Sequence, residues 1–220
     1  MVTMQRLLLA FAAALLFASV ANADSSPFNN LSASSDGADT VVLAAPLADS
    51  FSTGANPFNL TSVTVELETG SLQALVPGAF SSPNGSVTMT LLSNAVGPTP
   101  GMVLDTIGTL SDSSVTSSLA DYTFTLSSPY TLAANTTYWI ELTSDNGSSI
   151  FWSYSFDTSG PGVADQYYIN VLGVEPNWGG PYQMSVNGNC AQVPEPGMLL
   201  MLAAGLGAIL LLKNRRTILN

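Results

Sequence analysis

The sequence contains no histidine and only four basic side chains among its 220 residues. All four lie near its ends: Arg6, Lys213, Arg215 and Arg216. Glu195 is the one carboxylate outside residues 24–192, so 14 of the 15 acids, and no Lys or Arg, fall in that middle region. Such a region cannot neutralise phosphates, so we expect no nucleic acid partner, and anionic lipid surfaces are poor partners.

The middle region also lacks the groups that common enzymes use. A serine or cysteine nucleophile needs a neighbouring base, and residues 24–192 contain neither His nor Lys. One cysteine, Cys190, permits no internal disulfide. We therefore predict a domain with no catalytic residue, no metal centre and no cofactor, stabilised by apolar burial and backbone hydrogen bonds.

Acidic residues leave two other chemistries open. Glu66 and Glu68 would project from one face of a strand, about 6.5–7 Å apart, so a two-carboxylate glycosidase remains an alternative to a solvated strand face. Oxygen-rich loops around Asp36, Asp39 and Asp145 carry ligand types that calcium prefers. These acids equally suit the capping of turns.

Aromatic residues leave carbohydrate binding open as an alternative function. Trp139, Phe151 and Tyr168 fall out of register with the main apolar stripes, and Trp178 lies in a loop rich in Gly and Pro. If exposed, these rings would offer platforms for sugars. The competing interpretation is that loops or a second sheet cover them.

The N-terminus predicts a secretory signal peptide over residues 1–23. Arg6 precedes the uncharged apolar run Leu7–Val20, and Ala21-Asn22-Ala23 forms a cleavage site whose small residues are Ala21 and Ala23. Signal peptidase is then a partner, and the mature chain starts at Asp24. The alternative is a retained membrane anchor.

The C-terminus has three consecutive parts. A linker over residues 189–197 ends in the motif Val193, Pro194, Glu195, Pro196 and Gly197. Residues 198–212 are uncharged and predict a transmembrane helix of about 22 Å, which can cross by bilayer thinning and snorkelling. In the tail, residues 213–220, the basic stop of Lys213, Arg215 and Arg216 should stay cytoplasmic.

This ending resembles the PEP-CTERM sorting signal of Gram-negative bacteria. The resemblance implies that an exosortase, a membrane protease-transpeptidase, recognises the tail, cuts near Pro194–Pro196 and passes the protein toward the surface. The competing interpretation is an ordinary membrane anchor with a proline-rich stem.

Residues 40–188 predict an all-β domain, a two-sheet antiparallel sandwich of jelly-roll-like type, preceded by a flexible leader over residues 24–39. Seven segments alternate apolar and polar residues with period two, as expected of strands with one buried face. These segments are Val63–Leu67, Val87–Leu91, Tyr122–Leu126, Tyr138–Leu142, Ile150–Phe156, Tyr167–Val171 and Tyr182–Val186.

The middle region also resembles the choice-anchor R domain, a family of exported bacterial domains. The resemblance lies in short stretches that span most of residues 40–186: Asp49–Gly54, Leu60–Val63, Pro100-Gly101, Leu119–Phe124 and Leu132–Trp139. It implies an extracellular β-domain and supplies no catalytic residues. We therefore expect an exported, exosortase-sorted cell-envelope or extracellular-matrix protein, held by its tail in the inner membrane before processing. The alternative is a carbohydrate-binding module in extracellular polysaccharide.

Overall fold

The computed structural model describes residues 24–70, 85–145 and 149–190, together with Gly205. Contacts divide the chain into two units, Met1–Cys190 and Ala191–Asn220. The first unit contains twelve described strands. They are β1 (Asp24–Asn29), β2 (Gly37–Thr40), β3 (Leu47–Ser52), β4 (Phe58–Thr69), β5 (Ser86–Asn94), β6 (Pro100–Ser111), β7 (Ala120–Leu132), β8 (Thr137–Ser144), β9 (Ile150–Tyr154), β10 (Tyr167–Asn170), β11 (Gly173–Pro176) and β12 (Met184–Cys190).

The strands form two six-stranded sheets in which every pair is antiparallel. The first sheet has the order β1-β12-β4-β9-β2, and β7 pairs with the other side of β4. The second has the order β11-β10-β3-β8-β5-β6. The predicted all-β architecture with two antiparallel sheets is confirmed.

Period-two alternation places the predicted apolar faces in one core. Val63, Val65 and Leu67 of β4 are buried, as are the corresponding stripes of β5, β8 and β12. Each fully buried side chain of this size contributes about 1.5–3 kcal/mol relative to exposure. Because the described part of the chain has no basic side chain, this burial and the strand ladders carry its stability.

The prediction of a flexible leader over residues 24–39 is wrong. Residues 24–29 form β1 along β12, residues 37–40 form β2 along β9, and Phe28 is completely buried. The polar side chains that suggested flexibility satisfy backbone groups instead. Asn30 Nδ2 donates to the Tyr182 carbonyl at 3.1 Å, and Asn30 Oδ1 accepts the Met184 N–H at 2.8 Å. The sandwich therefore already includes Asp24, the first described residue of β1, and its last strand extends two residues beyond the predicted boundary at 188.

Two of the predicted stripes need correction. In β10 it is Tyr168 that is buried, whereas Tyr167 is exposed and Val171, after the strand, is 67% exposed. The Tyr168 hydroxyl donates to the Gly179 carbonyl at 3.1 Å, and this bond favours the inward position of its ring. The stripe on β9 ends before Phe156, which lies beyond the strand and is 58% exposed.

The two ends of the sandwich are neighbours. Asp24 pairs with Asn189 across the β1–β12 ladder, so the first and last described strands lie side by side there. Among the described residues, no helix is long and apolar enough to span a bilayer. The predicted helix over residues 198–212 lies outside them except for Gly205.

The loop before β10 packs on β1 at a glycine. The Asn29 N–H donates to the Pro161 carbonyl at 3.1 Å, and a Cβ added to Gly160 would collide with the Asn29 carbonyl oxygen. We expect Gly160→Ala to lower the free energy of unfolding by about 1–3 kcal/mol, measured by urea denaturation. Gly54→Ala, which meets nothing within 4 Å, is the control and should change stability by less than about 0.5 kcal/mol. Equal stability of the two variants would contradict this packing.

Candidate functional site

A buried carboxyl lies on the inner face of β3. The alternation of Leu47, Asp49 and Phe51 directs all three side chains into the sandwich, and Asp49 is completely buried. Asp49 Oδ2 accepts the Tyr182 N–H at 2.9 Å, and its Oδ1 accepts Asn177 Nδ2 at 3.5 Å. Burial raises the pKa of Asp49 well above its usual value, and these hydrogen bonds offset that rise only in part.

Asp49 fixes the segment that precedes β12. Within this segment Asn177–Gly179 form one turn of 3-10 helix, closed by the Gly180 N–H on the Asn177 carbonyl at 3.1 Å. Asn177 is buried, and its Nδ2 also donates to the Val163 carbonyl at 3.0 Å. The buried Asn177 Oδ1 has no hydrogen-bond partner among the described residues. This arrangement anchors the turn to the core and leaves Trp178 at the surface, 74% exposed.

Tyr182 continues the same anchor. Its ring stacks on Trp152 with centroids 4.7 Å apart, and its hydroxyl donates to Asp39 Oδ2 at 2.8 Å. Burial, followed by the nearby Asp39 carboxylate, raises the pKa of this phenol far above its usual value. Trp152 Nε1 donates to the Gln183 carbonyl at 3.0 Å. Trp152, Tyr182 and Gln183 are completely buried, so this cluster positions the backbone.

Three aromatic residues lie around this turn at the surface: Tyr154, Phe156 and Trp178, which we call the aromatic turn. The rings of Tyr154 and Phe156 meet edge to face with centroids 5.7 Å apart. Gly180, at φ +118°, lies against both rings, because a Cβ there would be 3.1 Å from Phe156 Cε1 and 3.4 Å from Tyr154 Cδ2. The positive φ favours glycine at this position, and a side chain there would also crowd the two rings.

Carboxylates border the aromatic turn. Asp36 Oδ2 accepts the Phe156 N–H at 2.8 Å. Asp157 is fully exposed, and its Oδ1 accepts the Ser159 N–H at 2.9 Å. Hydrogen bonds from Ser159 lower the pKa of Asp157, so this carboxylate is ionised at neutral pH. The surface therefore combines apolar rings with fixed anionic acceptors.

The predicted sorting residues lie outside the described part of the chain. These are Ala21 and Ala23 of the cleavage site, the motif Val193, Pro194, Glu195, Pro196 and Gly197, and the basic residues Lys213, Arg215 and Arg216.

The acids considered for calcium act as separate hydrogen-bond acceptors. Asp36 binds the Phe156 N–H, Asp39 binds the Tyr182 hydroxyl, and Asp145 accepts the Ser86 N–H at 3.0 Å. Over residues 24–70, 85–145 and 149–190, no three His, Cys, Asp or Glu side chains group in a way that could hold a metal. Each of these carboxylates thus joins segments that are distant in sequence, which differs from the local turn capping that the sequence suggested.

The carboxylates considered for glycosidase chemistry lie on the outer side of β4. Glu66 is half-buried and pairs across the ladder with Asp121 of β7. Its Oε2 is buried and has no hydrogen-bond partner within the described ranges. Like charges placed opposite each other on a sheet destabilise it, so this pair is a local cost to folding.

Of the four aromatic residues considered as sugar platforms, only Trp178 is largely exposed. Trp139 is 0% exposed and donates through Nε1 to Asn94 Oδ1 at 2.9 Å. Tyr168 is buried and Phe151 is half-buried. Sequence analysis missed Asp49. The signal that could have identified it is the presence of an acid within an apolar stripe. Sequence analysis also missed Phe156, because the residue continues the stripe of β9.

No known family model matches the chain, and a comparison with curated proteins finds no match. The site must therefore be interpreted from its own geometry.

Replacing Asp49 tests the buried carboxyl. Because its folded pKa is raised, Asp49 contributes stability that is complete below the unfolded pKa of about 3.9 and lost as the pH rises through the folded pKa. Asp49→Asn removes this titration. We expect the variant to be more stable than the wild type at pH 7, with the gain vanishing toward pH 4, measured by urea denaturation across this range.

Asp157→Asn is the matched control for this experiment. The pKa of Asp157 is lowered, so its contribution has the opposite sign and is lost as the pH falls. The control should therefore bring no gain at pH 7. A stability difference between Asp49→Asn and the wild type that stays constant from pH 4 to 7 would contradict the assignment.

Proposed function

We propose that this chain is an exported cell-envelope or extracellular-matrix protein without catalytic activity, whose C-terminal tail is a substrate of an exosortase. The observation that carries the proposal is that the described sandwich lies between the predicted processing sites. Its strands β1 and β12 fall within residues 24–190, after the predicted cleavage at Ala23 and before the motif that starts at Val193. Both cuts would therefore leave the sandwich whole.

The charge distribution supports the same proposal. Every basic residue lies in a predicted membrane-targeting segment, and none lies within the sandwich. Basic residues next to an apolar segment favour the cytoplasmic side, so the sandwich would lie on the outer side. An exterior domain whose stability rests on apolar burial also needs no disulfide, which its single cysteine could not form.

The adjacent ends of the sandwich suit this topology. Asp24 and Asn189 are paired neighbours, so a chain tethered by its signal peptide and its tail would be held at one edge of one sheet. Removing either segment would leave the β1–β12 ladder intact.

Carbohydrate binding is a second candidate activity, compatible with this location. The observation that favours it is the exposure of Trp178 and Phe156 on the anchored turn.

Deleting Pro194–Pro196 tests the sorting proposal. We expect the deleted protein to keep its C-terminal residues, because the exosortase would no longer recognise the tail, whereas the wild type loses them. Intact mass of the protein isolated from its native host reports this cut, and an N-terminus at Asp24 in both proteins reports the signal cut separately.

Gln192→Ala, which alters the linker and keeps the motif, is the control and should mature as the wild type does. An unchanged mature mass after the deletion would contradict recognition by an exosortase.

A further inference from the structure

The aromatic turn combines three properties that together indicate a ligand surface. Trp178 is 74% exposed and Phe156 is 58% exposed. Phe156 packs against Tyr154 and Gly180, and the turn that carries Trp178 is anchored by the buried Asn177. The surrounding acceptors are carboxylates, and the region has no cation. We propose that the aromatic turn binds a neutral polysaccharide built from pyranose units.

The Phe156 ring and the backbone of Trp178 are fixed before any ligand arrives. The Phe156 N–H is bonded to Asp36, and the Phe156 ring lies against Tyr154 and Gly180. The backbone of Trp178 lies within the 3-10 turn that Asn177 anchors in the core. A preorganised surface loses little conformational entropy on binding. The exposed apolar tip of the β10–β11 hairpin at Val171 and Leu172 differs, because the side-chain hydrogen bond at that tip is local, from the Leu172 N–H to Asn170 Oδ1.

The chemistry of a pyranose unit matches this surface. One face of the sugar is largely C–H and packs on an aromatic ring through dispersion. Its hydroxyl groups donate hydrogen bonds, and ionised Asp157 next to Phe156 is an acceptor that remains charged at neutral pH. Hydrogen bonds to charged acceptors are shorter and stronger than neutral ones.

Charge and size argue against other occupants. The sandwich carries 14 carboxylates and no basic residue, so an acidic polysaccharide, an anionic lipid surface or a second copy of this chain would be repelled. Three aromatic side chains also cover far less than the roughly 800 Å² per partner that a stable protein interface needs. A neutral sugar unit meets both requirements, because it carries no negative charge and needs a smaller contact area than a protein partner.

The three tryptophans provide a direct readout. Trp139 and Trp152 are completely buried, whereas Trp178 is exposed, so acrylamide quenching of intrinsic fluorescence reports mainly on Trp178. The full-length chain in mild detergent is titrated with hydroxyethyl cellulose and laminarin as neutral probes and with polygalacturonate as the acidic probe. We expect a neutral polymer to protect Trp178 from acrylamide and polygalacturonate to give no protection.

Variants assign the binding to the aromatic turn. Trp178→Ala and Phe156→Ala should each weaken retention in affinity electrophoresis by at least about tenfold. Trp178→Phe, which keeps a ring, should retain binding within about threefold, which separates loss of the platform from loss of the fold. Leu172→Ala, at a side chain 83% exposed on the β10–β11 hairpin, is the control and should bind as the wild type does.

Three results would overturn the proposal. The first is that neither neutral polymer protects Trp178. The second is equal protection by polygalacturonate. The third is protection that grows with protein concentration without polymer, which would assign the surface to a second copy. Maturation of the tail is measured independently by mass, so failure here is distinguishable from failure of the sorting proposal.

Discussion

The absence of any cation within the sandwich is the constraint on which its interior depends. A buried carboxylate normally finds a basic partner, and an unpaired buried charge is expensive. Asp49 has only N–H donors around it, from the Tyr182 backbone and the Asn177 side chain. The fold accommodates this carboxyl by favouring its protonated form, so the raised pKa follows from the composition of the domain.

The absence of cations also explains why uncharged polar side chains recur where loops of the sandwich meet its strands. Asn30 bonds to the Tyr182 carbonyl and to the Met184 N–H, at the start of β12. Asn177 joins the 3-10 turn to the preceding loop. Tyr182 adds a stacked ring and a hydroxyl bond to Asp39. Amides and phenols thus connect loops to strands where other proteins use ion pairs. One result is a surface turn whose backbone is held in place.

Period-two alternation predicted most of the core, because in a strand with one solvent-exposed face the buried apolar residues alternate with polar ones along the sequence. It failed where polar residues bond to backbone groups. Ser and Asn around Phe28 indicated a flexible leader, yet Asn30 pairs with Met184 and Tyr182 to complete the sheet edge. Alternation also cannot choose between two adjacent tyrosines, and the Tyr168 bond to Gly179 decides which one is buried.

The candidate site was only partly visible in the sequence. The Gly/Pro-rich surroundings of Trp178 left its exposure open, and the structure shows that it is exposed. Phe156 was assigned to a buried stripe, because periodicity does not show where a strand ends. Its proximity to Gly180 joins segments 24 residues apart in the chain, and only the tertiary fold shows that contact. Asp49 likewise owes its role to a turn more than 120 residues away.

The placement of β12 has a mechanical consequence. Cys190 ends this strand, the aromatic turn precedes its first residue, and β1 and β4 flank it on both sides. Tension between a tether at Cys190 and an attachment at the turn would run along the strand. The hydrogen bonds of an antiparallel ladder are perpendicular to that direction, so both ladders would resist in shear, with many bonds loaded together. Tension between Asp24 and Cys190 would instead open the β1–β12 ladder one bond pair at a time.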